Sequence, residues 1–309
     1  MKKVIITGVT GQDGTRMNSV AKTLISVSPF IADVKNLNVV RNSTGNDYDQ
    51  KTFEQIIKKE NPDYVIAGVE KYGKQQLDLC PNLKAISRVG IGLSSIDLNE
   101  CQKRGISVFN TPDAPTNAVS DMALCFILMG LRKIHLQKVS PFWEKHKGKE
   151  LKNCTVGIVG FGRTGKSLKR KLESLCVNKI LIHDPYQNIP EQNQATLKFL
   201  LEESDVISFH TPKLQKELTC YDFNLMKTDV CIVNTARGEI FNESDLYDFL
   251  KKTPDASAIL DVFCEEPYTK GKLLDLDNIF CTPHVSSFTD VSRAEMESGA
   301  VQNLLNFIK

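Results

Sequence analysis

Short apolar runs punctuate the chain at residues 64–67, 85–88, 107–110, 156–159, 180–182, 206–210, 231–234, 257–260 and 279–282. Each has the length of a strand, and stretches rich in polar residues, glycine and proline separate them. Several intervening segments carry apolar residues at helical intervals, as Leu168, Leu172 and Leu175 do. Strands that alternate with helices predict α/β architecture, with parallel sheets joined by crossover helices. A long apolar stretch over 116–131 predicts a buried helix, and the two prolines in 110–115 mark a crossing from one domain to another. After His284 one helix remains. It carries Ala294, Met296, Ala300, Leu304, Leu305 and Phe307 largely on one face, and is expected to return to the first domain and close it.

One run leads into a glycine pattern. Residues 156–159 enter Gly160, Gly162 and Gly165 at G-x-G-x-x-G spacing, and a helical segment follows. A second apolar run then ends on Asp184, nineteen residues beyond Gly165. In a dinucleotide site the first glycine makes the tight turn, the second lets backbone approach a pyrophosphate, and the third lets helix pack on strand. The helix N-terminus, beginning at Arg163 and Thr164, offers N–H groups to phosphate. Asp184 can accept from a ribose diol and would repel a 2′-phosphate, which favours NAD over NADP. A rival pattern overlaps it, because Gly160, Gly165, Lys166 and Ser167 also spell G-x-x-x-x-G-K-S, the phosphate loop of NTPases. Asp261, after the run 258–260, could then hold magnesium. Gly162 and Asp184 tilt the choice to the dinucleotide, since an NTP site requires neither.

Length and composition narrow the classes further. At 309 residues the chain suits two domains. A net charge of +2 supplies no general attraction to nucleic acid or membrane. The apolar run 122–131 is well short of the roughly 20 residues that span a bilayer, and Met1-Lys2-Lys3 leads into only a brief apolar step, so neither membrane span nor secretory signal is expected. Nine cysteines occur without a C-x-x-C pair. That usage predicts a reducing cytoplasm, with no disulfide framework and no metal site.

A second glycine-rich segment, Gly8, Gly11 and Gly14, has the G-x-x-G-x-x-G spacing with which extended short-chain dehydrogenases open. Those enzymes also need a Tyr-x-x-x-Lys pair. Tyr247 with Lys251 and Tyr268 with Lys272 fall too late in the chain to serve, so residues 1–20 are read as an appended edge segment that binds no nucleotide.

Eight motifs in order give the chain its closest likeness: Arg88-Val89-Gly90-Ile91-Gly92, Asn110-Thr111-Pro112, Trp143 ahead of Gly148 to Leu151, the fingerprint with Asp184, His210-Thr211-Pro212, Asn234-Thr235-Ala236-Arg237-Gly238, Asp261 to Glu266-Pro267, and Pro283-His284. With these, residues 24–309 resemble the D-isomer-specific 2-hydroxyacid dehydrogenases, most nearly the phosphoglycerate dehydrogenase group. The resemblance implies a Rossmann-like NAD-binding domain (110–286) inserted in a flavodoxin-like substrate domain (1–109 and 287–309). It further implies that Arg237 binds the substrate carboxylate and carbonyl, that His284 is the general acid/base and that Glu266 orients it. Gly160, Gly162, Arg163, Thr164, Gly165, Asp184, His210, Thr211, Pro212, Thr235, Ala236 and Asp261 would hold NAD, with Asp261 on the nicotinamide carboxamide. Arg88, Val89 and Gly90 would meet the substrate, the backbone of the last two receiving its carboxylate. A homodimer built through the helix of 122–131 is also implied.

The implied chemistry is sound on its own terms. Moving a hydroxyl proton during hydride transfer suits a histidine, which titrates near working pH. A neighbouring carboxylate stabilises the imidazolium, and arginine offers a planar charged fork for a carboxylate. Ser94-Ser95 stand where the family usually has Asp-Asn, and Asp121 where it has Glu. The departures fall mainly in the substrate domain and leave the 2-hydroxy acid or 2-keto acid open, 3-phosphoglycerate being one candidate. A different class with the same residues, NAD-sensing corepressors, usually carries long disordered tails, and the sequence favours the enzyme.

Overall fold

The computed structural model describes residues 22–26, 37–40, 48–137, 143–212 and 214–308. The glycine-rich segment 1–20 lies outside them. The chain divides into two compact units, one within Met1–Pro115 and Thr289–Lys309, the other Thr116–Phe288.

In the first unit β1 (Lys22–Ser26), β2 (Leu37–Val40), β3 (Tyr64–Ala67), β4 (Ala85–Arg88) and β5 (Ser107–Phe109) form one sheet in the order β2-β1-β3-β4-β5. All pairs are parallel. This 2-1-3-4-5 order is that of the flavodoxin-like doubly wound fold. Side chains alternate along each strand. Val65, Ala67 and Ile86 pack with Phe53 and Ile57 of α1 (Gln50–Glu60), Leu77 of α2 (Lys74–Asp78) and Cys101 of α3 (Leu98–Lys103). Tyr64, Ile66 and Ala85 face the other way, onto Met296, Ala300 and Leu304 of the C-terminal helix Asp290–Ile308. The expected return of that helix to the first unit is thus seen, with one correction to its face. Ala294 is exposed, whereas Ser292 and Glu297 are buried. Strands β1 and β2 have no counterpart among the apolar runs singled out above.

The second unit opens with α4 (Thr116–Leu131) and holds six parallel strands: β6 (Thr155–Val159), β7 (Lys179–His183), β8 (Val206–Phe209), β9 (Cys231–Asn234), β10 (Ser257–Leu260) and β11 (Ile279–Cys281). Their order is β11-β10-β9-β8-β6-β7. Successive strands run outward in opposite directions from β6 and β8, so the switch point where open α/β sheets bind ligands lies at the carboxyl end of β6. On one face α4 and α5 (Arg163–Ser174) cover Val156, Ile158, Ile182, Val233 and Ile259. On the other, α6 (Leu197–Glu203), α7 (Cys220–Phe223) and α8 (Glu243–Lys252) cover Ile207, Phe209, Ile232, Ala258 and Leu260. The remaining helix, Asp290–Ile308, is α9. Leu168 and Leu172 are fully buried, but Leu175 falls just past the end of α5 and is exposed.

Three runs end one residue earlier than their apolar pattern. Asn110, His210 and Thr282 lie beyond β5, β8 and β11, each one or two residues ahead of a proline, which has no N–H to continue a ladder. Asn110 and His210 head motifs of the family likeness, and Thr282 directly precedes the Pro283-His284 motif.

Candidate active site

The glycine turn is shaped by atoms that leave no room. Gly160 has a φ of +97°, and a Cβ there would lie 2.6 Å from the carbonyl carbon and oxygen of His210. A Cβ at Gly165 would lie 2.2 Å from Gly160 O, so helix α5 rests directly on the turn. Gly162, at the N-cap of α5, is the opposite case: nothing lies within 4 Å of its Cβ direction. A contracted turn with one open flank, at a helix N-terminus headed by Arg163 and Thr164, fits a pyrophosphate. Asp184 follows β7 and braces the same turn. Its Oδ2 accepts from Phe161 N at 2.7 Å and its Oδ1 from Tyr186 N at 2.8 Å. A carboxylate retains lone pairs for a ribose diol beyond these two bonds.

The side chains that an NTPase would need are committed elsewhere. Lys166 Nζ donates to Gln187 Oε1 at 3.1 Å and lies 5.6 Å from the centre of the Phe161 ring. Ser167 is 2% exposed and pairs with Ser120 Oγ of α4 at 2.9 Å. Neither is placed to hold a triphosphate or its metal ion. Among the described residues no group of three or more His, Cys, Asp or Glu could hold a metal.

The neighbouring strand ends continue the site. His210 Nε2 meets Ser208 Oγ at 2.8 Å, and burial pushes its pKa down to about 4, so this ring is neutral. Thr211 and Pro212 follow it. After β9 the buried Asn234 braces a tight turn: its Oδ1 accepts from Ala236 N at 2.9 Å and its Nδ2 donates to Arg237 O at 2.8 Å. Thr235 Oγ1 is buried with no hydrogen-bond partner among the described residues, as a hydroxyl awaiting a polar ligand is. Arg237 Nη1 donates to Ala236 O at 2.6 Å.

At the ends of β10 and β11 lie Glu266 and His284. His284 Nδ1 stands 2.7 Å from Glu266 Oε2, with both side chains partly exposed. Glu266 Oε1 accepts from Phe263 N at 3.1 Å. The hydrogen bond to Glu266 raises the His284 pKa against the opposing effect of burial, and the charges of Glu266 and Asp261 add to it. For Glu266, burial favours the neutral acid, but His284, Phe263 N–H and the Arg237 charge outweigh it and lower the pKa. His284 has a φ of +53°, a conformation uncommon for a residue with a Cβ.

Asp261 holds the backbone there. Fully buried, it accepts through Oδ1 from Thr282 Oγ1 and from Val285 N at 2.8 Å, and through Oδ2 from Ser286 N at 2.8 Å. These donors flank His284 on both sides. Asp261, expected on the nicotinamide, therefore braces the loop around His284, a task that its sequence position did not disclose. In the first unit, the amides of Val89 and Gly90 are already in use, donating to Ala67 O at 3.0 Å and Thr111 Oγ1 at 2.8 Å. Arg88 Nη1 donates to Val89 O. Thr282 and Ser208 were not singled out from sequence, and Asn234 only as the first residue of a motif, with no role given. Asn234 was detectable as an Asx turn directly after a strand.

Comparison with known proteins shows the family. The family model described as D-isomer specific 2-hydroxyacid dehydrogenase, NAD binding domain, matches residues 123–286. The chain is 33% identical over 273 residues to the D-3-phosphoglycerate dehydrogenase of Archaeoglobus fulgidus, covering 83% of this chain but 51%, about half, of that relative's length. It is 34% identical over 261 residues to the glyoxylate reductase of Thermococcus litoralis, covering 78% of each. The cofactor (NAD+)-bound 3-phosphoglycerate dehydrogenase of Entamoeba histolytica has the same fold, with a TM-score of 0.73 at 26% identity over 88% of this chain and 86% of that one. The chain belongs to the D-isomer specific 2-hydroxyacid dehydrogenases, and residues 123–286 are its NAD-binding domain.

Proposed function

We propose that this chain reduces a short 2-keto acid to the D-2-hydroxy acid with NADH, and runs the reverse reaction with NAD+. The observation that carries the proposal is the His284–Glu266 pair at 2.7 Å, within range of the Arg237 charge, in the unit that holds the glycine turn. Bound NADH supplies the hydride for C2. Gly160, Gly162, Arg163, Thr164, Gly165, Asp184, Thr235 and Ala236 hold the cofactor, with His210, Thr211 and Pro212 at its rim. Arg237 takes the keto-acid carboxylate and polarises the carbonyl. With Nδ1 donating to Glu266, His284 presents Nε2 and delivers the proton to the carbonyl oxygen as C2 is reduced. In oxidation the neutral ring accepts that proton back.

The raised His284 pKa sets the direction of the pH response. Reduction needs the imidazolium and is lost as pH rises through the raised value. Oxidation needs the neutral ring and gains over the same range. The Arg88–Gly90 loop is assigned to the substrate on family likeness. The Val89 and Gly90 amides are engaged with Ala67 O and Thr111 Oγ1, and Arg88 Nη1 with Val89 O.

Glyoxylate, hydroxypyruvate and the 2-keto analogue of 3-phosphoglycerate are the substrates to compare, since relatives carry names from both the glyoxylate and the phosphoglycerate reactions. No helix among the described residues is long and apolar enough to cross a membrane. We take the protein to work in the cytoplasm as a homodimer, with Leu128 and Cys125 on the exposed side of α4 as part of the contact. A panel of 2-keto acids assayed by NADH oxidation tests the assignment. Turnover of at least one keto acid supports it, whereas NADH binding without turnover of any of them favours the NAD-sensor reading.

A further inference from the structure

Arg237 and the His284–Glu266 pair sit on separate loops, and what registers one against the other is a glycine. Gly238 follows Arg237 directly and is buried. A Cβ on it would lie 2.0 Å from Phe263 C, 2.3 Å from Cys264 N and 2.4 Å from Phe263 O. Its Cα therefore rests flat against the Phe263–Cys264 peptide. Contacts below 3.0 Å to backbone atoms cannot be relieved by rotating a side chain.

That peptide is tied to the acid/base pair. One residue before it, Phe263 N donates to Glu266 Oε1 at 3.1 Å, and Glu266 Oε2 in turn holds His284 Nδ1 at 2.7 Å. Its other side is tethered too, since Cys264 N donates to Glu243 Oε1 at 3.1 Å in the first turn of α8. On the arginine side, Asn234 fixes the turn through Ala236 N and Arg237 O. A continuous chain of short contacts thus runs Asn234, Arg237–Gly238, Phe263–Cys264, Glu266, His284.

We propose that Gly238 is a positioning residue of the reaction: its bare Cα, seated on the Phe263–Cys264 peptide, sets the spacing between carboxylate-binding Arg237 and the Glu266–His284 pair. The proposal rests on the dehydrogenase reading above. Gly238 φ lies outside the left-handed range, so alanine brings no backbone strain of its own, only the contact. The Phe263–Cys264 peptide must then retreat by about 1 Å or more to reach ordinary contact. A displacement of that size at a reacting geometry costs about 10²-fold. Because Phe263 N–H orients Glu266, the retreat also shifts the carboxylate from its place beside His284 Nδ1, and the imidazolium loses support.

The test uses the full chain with Gly238→Ala, and Gly130→Ala as the reference. At Gly130 in α4 a Cβ would meet Cys231 Sγ at 2.1 Å, a buried clash with a side chain, remote from the acid/base loop. Keto-acid kcat/KM, its pH profile, NADH affinity by fluorescence quenching and Tm are measured for both. Gly238→Ala is expected to lose ten- to a hundredfold in kcat/KM, with higher KM and an alkaline limb of reduction moved to lower pH, while NADH affinity changes less than about threefold. Gly130→Ala should lower Tm with normal kinetics. If Gly238→Ala merely lowers Tm, as the reference does, the proposal is overturned. If Gly238→Ala does not fold, Glu243→Ala decides, because it frees the outer tether of the same peptide. A limb shifted the same way by a smaller amount supports the proposal, and an unchanged profile overturns it. A wild-type chain that binds NADH but reduces no keto acid would instead sink the dehydrogenase reading on which the proposal rests.

Discussion

The glycine turn after β6 and the histidine loop after β11 are both strand-end segments in one sheet, yet they are held in place by opposite means. The turn is fixed by missing side chains: Gly160 touches the His210 carbonyl, Gly165 touches Gly160 O, and the open side of Gly162 is left for a ligand. The histidine loop is fixed by a buried charge, Asp261, whose carboxylate gathers Thr282 Oγ1 and the amides of Val285 and Ser286 around a residue in left-handed conformation. A left-handed non-glycine residue costs of order 1–3 kcal/mol and persists only where its surroundings over-determine it. The difference suits the tasks proposed for them. A phosphate needs space and backbone dipoles, while a proton carrier needs an imidazole aimed within a few tenths of an ångström and a charge nearby to set its pKa.

Each half can be broken separately. The largest effect falls on the loop: His284→Ala should lower keto-acid turnover by roughly 10² to 10⁴, with NADH affinity by fluorescence nearly unchanged. Asp261→Asn comes next. It sets an amide NH₂ against the backbone donors of the loop, and should lower turnover by about 10²-fold by releasing His284. A loss confined to NADH affinity would show that Asp261 serves the nicotinamide alone. On the turn, Asp184→Ala should erase an NAD over NADP preference of at least tenfold, about 1.4 kcal/mol. An unchanged cofactor ratio in that variant would remove Asp184 from the ribose site.

The smallest effect is the most informative about charge. Glu266→Gln should lower the His284 pKa, so that the alkaline limb of reduction moves to lower pH while oxidation keeps more activity there. The same pair makes a pH-dependent contribution to stability. The His284 pKa is raised above its ordinary 6.5, so its contribution is complete below that value and is lost as pH rises through the raised one. Glu266 is lowered from 4.5, so its contribution is complete above that value and is lost as pH falls through the lowered one. Both side chains are partly exposed, and the melting temperature of Glu266→Gln should reflect less than about 1 kcal/mol. A stability loss unaccompanied by any shift in the pH profile would make the pair structural.

The same contrast explains what the sequence disclosed. A turn built from absent side chains leaves a spacing of glycines, and spacing is visible in one dimension. The sheet of the second unit was equally legible, because fully buried strands such as 231–234 and 257–260 are largely apolar on both faces, whereas β1 and β2 of the first were not among the runs read as strands. The braces of the loop were not. Asp261 meets residues more than twenty positions later, and no local pattern separates a carboxylate that binds a ligand from one that anchors backbone. Gly238 reads as an ordinary turn glycine until the Phe263–Cys264 peptide is seen against it. Lys166 and Ser167 erred in the other direction, spelling a phosphate loop while their side chains were occupied by Gln187 and Ser120.

If these two strand ends serve one hydride transfer, isotope transfer reports it directly. The chain is incubated with NADH carrying deuterium on the transferable face of C4 and with the best-used 2-keto acid, and the product is examined by NMR and chiral chromatography. One deuterium is expected at C2 of a D-2-hydroxy acid, with a hydroxyl proton drawn from solvent and a rate reduced by about 10² or more in His284→Ala. Deuterium left wholly on the cofactor, or the same transfer rate in His284→Ala as in the unaltered chain, would contradict it.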